Sequence, residues 1–338
     1  MRPALQLILA LALSGFFLWL VLRVIPLAGL AAALRGVHPF WVVMALAAFF
    51  LGYACRIWRW RLMLAETNPA LGWGRCAVPF TASVAANNVL PFRSGDALRA
   101  VAFSGWLGVP TASILATLLV ERLLDVLALM LALVLALVLL WTDLQALQAL
   151  QAVLGPGVAL LGLLGAVVTL TLLMPQVIAV PVMWGIGRLE GRLPGLTERL
   201  RVQSARLFGT LAALAHRSRL VRLMLWSLLA WGLEAAVFYA VARAIPGLAV
   251  PASAWLAMPV GTLSTLIPST PGYVGTFHYF VMTTARMLGN DAAAAGAFAV
   301  LVHLSLWVPT TLWGGLSFVY WMLTRTAPSG TSRKAVLR

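Results

Sequence analysis

AANNVLPFRSGDALRA, residues 85–100, and STLIPSTPGYVGTFHYF, residues 264–280, each interrupt a long apolar stretch with proline, glycine and polar side chains. The stretches that hold them, about 77–108 and 253–288, are otherwise apolar enough to enter a bilayer. Backbone freed by such a break is tolerated at membrane depth only where it is buried in protein or lines a wet cavity. Each stretch therefore reads as a re-entrant hairpin or a broken helix pair. Pro91 and Gly95 are the hinge positions of the first. Pro268, Pro271, Gly272 and Gly275 are those of the second.

The rest of the chain is apolar too. Of 338 residues, 62% are hydrophobic and 10% charged, whereas soluble domains are about a quarter charged. Apolar runs of about 18 or more residues mark transmembrane helices. Six stand out, at about 5–25, 40–63, 111–140, 155–175, 222–244 and 293–324. The first has too long an apolar core for a signal peptide and no small-x-small cleavage site, so it is expected to be retained. The expected fold class is an all-α polytopic membrane protein with six full spans plus two re-entrant or broken helical hairpins.

The net charge of +15 comes from arginines in short loops beside apolar spans. That distribution signals topology and contact with anionic lipid, and it argues against nucleic acid as a partner. With the N-terminus inside, nineteen cationic residues fall on the cytoplasmic side, Arg56, Arg59, Arg61, Arg93 and Arg99 among them. Only Arg23, Arg35, Arg243 and Arg286 fall outside, and Arg122 lies within a span. Both termini are then cytoplasmic, and a bacterial inner membrane is the expected location.

The first hairpin then enters from the cytoplasm and the second from outside. Helix, helix, hairpin, helix occurs twice with opposite orientation, over residues 1–145 and 150–326, followed by a basic tail at 327–338. NVLPFRSG (88–95) and TLIPSTPG (265–272) align Pro91 with Pro268 and Gly95 with Gly272. An inverted repeat with paired broken helices is a transporter architecture, and the breaks point to the substrate site. The polar segment 188–217 carries Leu196, Leu200, Leu207, Leu211 and Leu214 at helical spacing, so it reads as an amphipathic helix on the inner leaflet.

Polar residues inside apolar segments are the candidate site. Asn87 and Asn88 offer amide donors and acceptors, and Pro91 frees backbone carbonyls. Arg93 and Arg99 suit bidentate phosphate binding or are ordinary positive-inside charges. Asp96 caps the following helix or pairs with an arginine. Glu121, Arg122 and Asp125 lie within one long apolar helix, where charges are expensive. They serve a transported group, pin the helix to its neighbours, or do both.

Glu234, near the middle of the span 222–244, needs a partner or a proton, and Arg122 or an arginine of the first hairpin is the expected partner. In the second hairpin Ser269, Thr270 and Thr276 satisfy freed backbone or coordinate a headgroup. His278 reads more readily as a hydrogen-bonded structural residue than as a proton relay. His38, His216 and His303 are scattered. The sequence has no Walker loop, GxSxG, HExxH or metal-ligand cluster, so no catalytic residue, metal or cofactor is assigned.

RIWRWRLML (56–64), NNVLPFRSGDALR (87–99), VERLLDVLAL (120–129) and IPSTPGYVGTFHYF (267–280) together resemble the transmembrane flippase region of lysylphosphatidylglycerol synthetases. That module also occurs as a stand-alone membrane protein. The resemblance covers roughly residues 5–325, with the four motifs in the family's order. It implies movement of a polar lipid between leaflets. The soluble domain that attaches the amino acid in full-length synthetases is not in this sequence, so synthase activity is not expected.

Two positions depart from the family, which often has glutamate where Asp96 and His278 stand. The implied partners are membrane lipids: an anionic or aminoacylated phospholipid, or a polyprenyl- or hopanoid-type lipid. A lipid-modifying enzyme is a further possible partner. The rival readings are a transporter of a small soluble solute and a membrane-embedded headgroup transferase or hydrolase.

Overall fold

The computed structural model describes residues 16, 19, 27–90, 94–139, 162–188, 194–267 and 270–326. The expected first span at 5–25, apart from residues 16 and 19, lies outside the described residues. So do Pro91, Arg93, Pro268, Ser269 and the tail. Every regular element among the described residues is helical.

The chain runs through α1 (Leu27–Arg35), α2 (Pro39–Leu64), α3 (Trp73–Val89), α4 (Ser94–Val101), α5 (Ser104–Leu107) and α6 (Thr111–Leu139). It continues through α7 (Gly162–Leu173), α8 (Gln176–Arg188), α9 (Pro194–Leu214) and α10 (Arg217–Ala244). It closes with α11 (Ala254–Ser264), α12 (Thr276–Met287) and α13 (Ala292–Thr326).

Four helices, α2, α6, α10 and α13, are long and apolar enough to cross a membrane. The expected span at 155–175 is described from residue 162 and is followed by a bend. Its helix α7 ends at Leu173, and α8 leaves at 77° to it. Pro175 stands in the gap; it lacks an N–H and keeps the residue before it out of the helical region. If the bent pair counts as one span, the described residues hold five.

Both interrupted stretches fold as helix pairs. In the first, Leu90 takes an extended conformation (φ −92°, ψ 146°) and ends α3, as a residue before proline must. Arg99 of α4 reaches back to Ser83, and Asp96 to Asn87, so α4 runs antiparallel to α3. Gly95 makes this possible. A Cβ there would collide with the Ser83 carbonyl and the Asn87 side chain. The second pair, α11 and α12, closes likewise on Gly261 against Val281 and Phe277. Its break turns through the left-handed region at Gly272 (φ 73°), Tyr273 (φ 57°) and Gly275 (φ 91°). Tyr273 is the only non-glycine residue with positive φ among those described, a conformation that stores strain.

The helices assemble across the two halves of the chain. The antiparallel pair α2 and α10 makes the most extensive interface, α3 lies along α13, and α11 packs on α6. The α3–α13 contact combines small residues with polar links. Thr81 bonds Ser317 at 2.8 Å, and Asn88 donates to Thr310 and Thr311 at 2.9 and 3.0 Å. Gly314 lets the two backbones touch. Without a hydrophobic force between helices in lipid, such close packing and hydrogen bonding hold spans together.

Three buried apolar clusters fill the interior of the described residues. One surrounds Phe238, Phe277 and Phe298, another Trp60, Phe80 and Phe103, and a small third joins Leu133 and Ala136 to Leu256. The amphipathic stripe of α9 is only half used: Leu211 and Leu214 are buried beside α6, whereas Leu196 and Leu200 are exposed.

A Cβ at Gly314 would strike the Thr81 carbonyl and Ala85, whereas one at the neighbouring Gly315 meets nothing within 4 Å. Gly314→Ala is expected to destabilise the protein by about 1–3 kcal/mol through overpacking. Gly315→Ala should leave it unchanged or slightly more stable, and thermal unfolding of the two variants in detergent separates them.

Candidate functional site

Charges inside an apolar helix set the problem, because an unpaired ion at that depth is costly. The fold solves it by bringing four arginines and four carboxylates together from α2, α4, α6 and α10. Arg59 of α2 donates to Asp125 of α6 at 2.7 Å and to Ser227 of α10 at 2.6 Å. The indole of Trp231 donates to the same Asp125 oxygen at 3.1 Å. Arg99 of α4 pairs with Glu121 of α6 at 3.2 Å, and its Nε donates to Ser83 at 2.7 Å. Its guanidinium also stacks over Phe80 and Trp60, at 4.4 and 5.1 Å from their centroids.

Arg122 links these pairs. It bonds Asp96 at 3.1 Å and lies 4.0 Å from Glu121 and 3.9 Å from Asp125. Asn87 donates to Asp96 at 3.1 Å. The fourth pair, Arg56 with Glu234, meets at 2.7 Å, and Arg56 lies over the ring of Trp231 at 4.6 Å. The result is a charge-balanced chain of ion pairs running from the first hairpin through α6 to α2 and α10.

Burial is uneven along it. Arg59 and Arg99 are fully buried, and Glu121 is 3% exposed. The side chains of Arg122 and Asp96 are 39% and 25% exposed, so the chain is open at that end. The other three pairs are largely buried, and the Arg122–Asp96 pair is the most exposed of the four.

Next to this chain lies a cavity of about 130 Å³. It forms where the tips of the two hairpins converge. Val84 and Asn88 face it from α3, Thr262 and Thr265 from α11, Gly272 and Tyr273 from the second break, and Phe277 from α12. His303, Leu306, Trp307 and Thr310, near the middle of α13, close one side, with Tyr53 and Glu234 opposite. The tips touch: the space over Gly272 is filled by the Trp307 indole and the carbonyl of Asn88.

The residues expected from sequence fall into three groups. Asn88, Glu234 and Gly272 line the cavity. Asn87, Asp96, Arg99, Glu121, Arg122 and Asp125 form the ion-pair chain instead. Thr270 lies in the second break, where its hydroxyl donates to the Val274 carbonyl at 3.4 Å. His278 accepts from the Gly275 amide at 3.3 Å and meets His303 at 3.2 Å. Arg93, Pro91, Pro268 and Ser269 lie outside the described residues.

Three readings change. Glu234 pairs with Arg56 of a span, neither with Arg122 nor with an arginine of the hairpin. Arg56, Arg59 and Arg99, counted as loop charges, are interior partners of carboxylates. His303 belongs beside His278 at the cavity. Arg56 and Arg59 were hidden because RIWRWR (56–61) looks like a span end. The available signal was arithmetic: three carboxylates within spans, Glu121, Asp125 and Glu234, need more than the one arginine, Arg122, that the spans were given.

A family model described as the lysylphosphatidylglycerol synthase TM region matches residues 7–314. No curated protein matches the chain.

Glu121→Gln would leave the Arg99 guanidinium buried without its carboxylate. The expected loss is about 3–5 kcal/mol, while Arg99→Met with Glu121→Leu recovers most of it, because an apolar pair replaces an ion pair at little cost. Thermal unfolding of the single and double variants gives the comparison.

Proposed function

The chain belongs to the lysylphosphatidylglycerol synthase TM-region family, and on that premise we propose that it is a lipid flippase, moving a polar-headgroup lipid between leaflets. The observation that carries this reading is the cavity at the meeting of the two hairpin tips, where polar side chains stand among apolar ones. A headgroup must cross about 30 Å of hydrocarbon, and at the hardest point it needs hydrogen-bond partners in place of water. Asn88, Thr262, Thr265 and Thr310 supply them. Val89, Leu90, Leu266 and Val274 flank the tips and are exposed, which suits acyl tails that stay in the bilayer.

Charge recognition follows from the neighbouring pair. A headgroup phosphate competes with Glu234 for Arg56, and an amine competes with Arg56 for Glu234. Arg122, open on the far side of the same ion-pair chain, offers a second phosphate contact. The substrate class is therefore an anionic or aminoacylated phospholipid, or a polyprenyl- or hopanoid-linked lipid with a charged head. In this reading the protein acts as a transporter, and the headgroup crosses with no bond made or broken.

The same reading takes the two halves as an inverted repeat of six spans and two re-entrant hairpins, with the chain N-terminus inside. Its support is reciprocal packing. Equivalent spans α2 and α10 face each other, the first hairpin's α3 packs on the last span of the second half, and α11 packs on the last span of the first. Removing the interior residues Arg56, Arg59 and Arg99 from the cytoplasmic count leaves sixteen cations inside against four outside, which keeps both termini cytoplasmic. Alternating access then follows from rocking one half against the other around the cavity.

Reconstitution into liposomes with labelled phospholipids, aminoacylated lipids and polyprenyl-linked lipids tests the reading. Faster leaflet exchange of at least one class is expected. Glu234→Gln should slow it by about tenfold or more, equivalent to about 1.4 kcal/mol in the barrier, and Arg56→Glu with Glu234→Arg should restore part of the loss. No acceleration for any class would overturn the proposal.

A further inference from the structure

The second hairpin is tied at its break by two imidazoles. His278 stands three residues into α12, and its Nδ1 accepts the amide of Gly275, the residue that precedes the helix. An accepting Nδ1 leaves the proton of a neutral ring on Nε2. That nitrogen lies 3.2 Å from Nδ1 of His303, so His278 donates and His303 accepts. The proton of His303 is then on its own Nε2, and the ring also contacts the Gly272 backbone. Gly272 and Gly275 both have positive φ, with the strained Tyr273 between them. The hydrogen-bonded imidazoles thus bridge the break to α13 at the wall of the cavity.

In this arrangement each imidazole has one nitrogen lone pair, and both are occupied. A proton added at His278 Nδ1 must expel the Gly275 amide. A proton added at His303 Nδ1 must expel the N–H of His278 and part the rings. Either route loosens the hairpin tip, because two N–H groups cannot face each other across one hydrogen bond. No carboxylate of the described residues bonds either ring. Glu234, from α10, shares the cavity with His303 but is held by Arg56 of α2. The other ionisable side chains there are the phenols of Tyr53 and Tyr273.

We propose that the His278–His303 dyad is a proton-binding site whose occupancy releases the tip of the second hairpin and couples lipid movement to a proton gradient. The proton is taken from water on one side and returned on the other, with no covalent step. The coupling is reciprocal by linkage: a headgroup that favours the released tip raises proton affinity, and a proton favours the headgroup-accepting state. The coupling rests on the flippase reading, whereas proton binding at the dyad does not depend on it.

Two measurements separate the proposals. In liposomes, labelled-lipid exchange is compared within each protein with and without a pH gradient, and at uniform values between about pH 5 and 8. The wild type is expected to show severalfold faster exchange with the gradient. His278→Gln and His303→Gln should each bring that ratio to one, whatever their own basal rate. Exchange that ignores both pH and gradient in the wild type would overturn the coupling and leave the flippase reading standing.

Histidine-labelled protein in nanodiscs, followed by NMR, needs neither a variant nor transport. His278 and His303 are expected to be neutral with Nε2 protonated, and to change together on acidification along with the Gly275 amide. Independent titration, or a Gly275 amide unmoved by acid, would overturn the dyad. If no lipid exchanges at all, the flippase reading fails and this spectrum still decides proton binding.

Discussion

An arginine in the bilayer interior is stable only beside a carboxylate, and four such pairs organise this protein. They lie at the junction of α2, α4, α6 and α10, and no single helix contains both members of any of the closest pairs. Assembly of the spans is therefore also neutralisation of their charges. Removing one partner leaves a buried ion, while replacing both with apolar groups need not weaken the fold. The pairs thus specify which helices meet rather than supply a large net stability.

This constraint also sets what moves. Glycine contacts at Gly95, Gly261 and Gly314 seat the hairpins and α13 tightly, and the ion pairs fix α6 against α2. The second break is built differently. Gly272, Tyr273 and Gly275 take positive φ there, and the His278 ring accepts the Gly275 amide. A strained segment beside a cavity suits a gate better than a pillar. Gly272 and Tyr273 of this segment line the cavity, as does Glu234, which Arg56 holds from α2.

Much of this could be read from the sequence, for physical reasons. Proline before an extended residue and glycine at tight turns are local rules, so the breaks at Leu90 and Gly272 were visible. Apolar length gave the cores of α2, α6, α10 and α13. What could not be read was partnership. Arg59 and Arg61 differ by two residues in one helix, yet Arg59 is fully buried against Asp125 while Arg61 bonds the Leu71 carbonyl near the helix end. Only the helix rotation decides which one faces inward. His278 and His303 are likewise brought together by the packing of α12 on α13, for which neither histidine carries a local signal. The span expected at about 155–175 ends at Pro175, where the chain bends, but the 77° angle to α8 carries no signal of its own.

In the proposed flippase a lipid headgroup crosses through the cavity between the hairpin tips. Photo-crosslinking from a lipid with a reactive headgroup, mapped by mass spectrometry on the reconstituted protein, tests it most directly. Labels are predicted on the residues around Asn88, Thr265 and Thr310, with tail-reactive lipid labelling Leu90 and Leu266. Headgroup labels confined to the helix ends and loops, with the cavity residues unmarked, would contradict it.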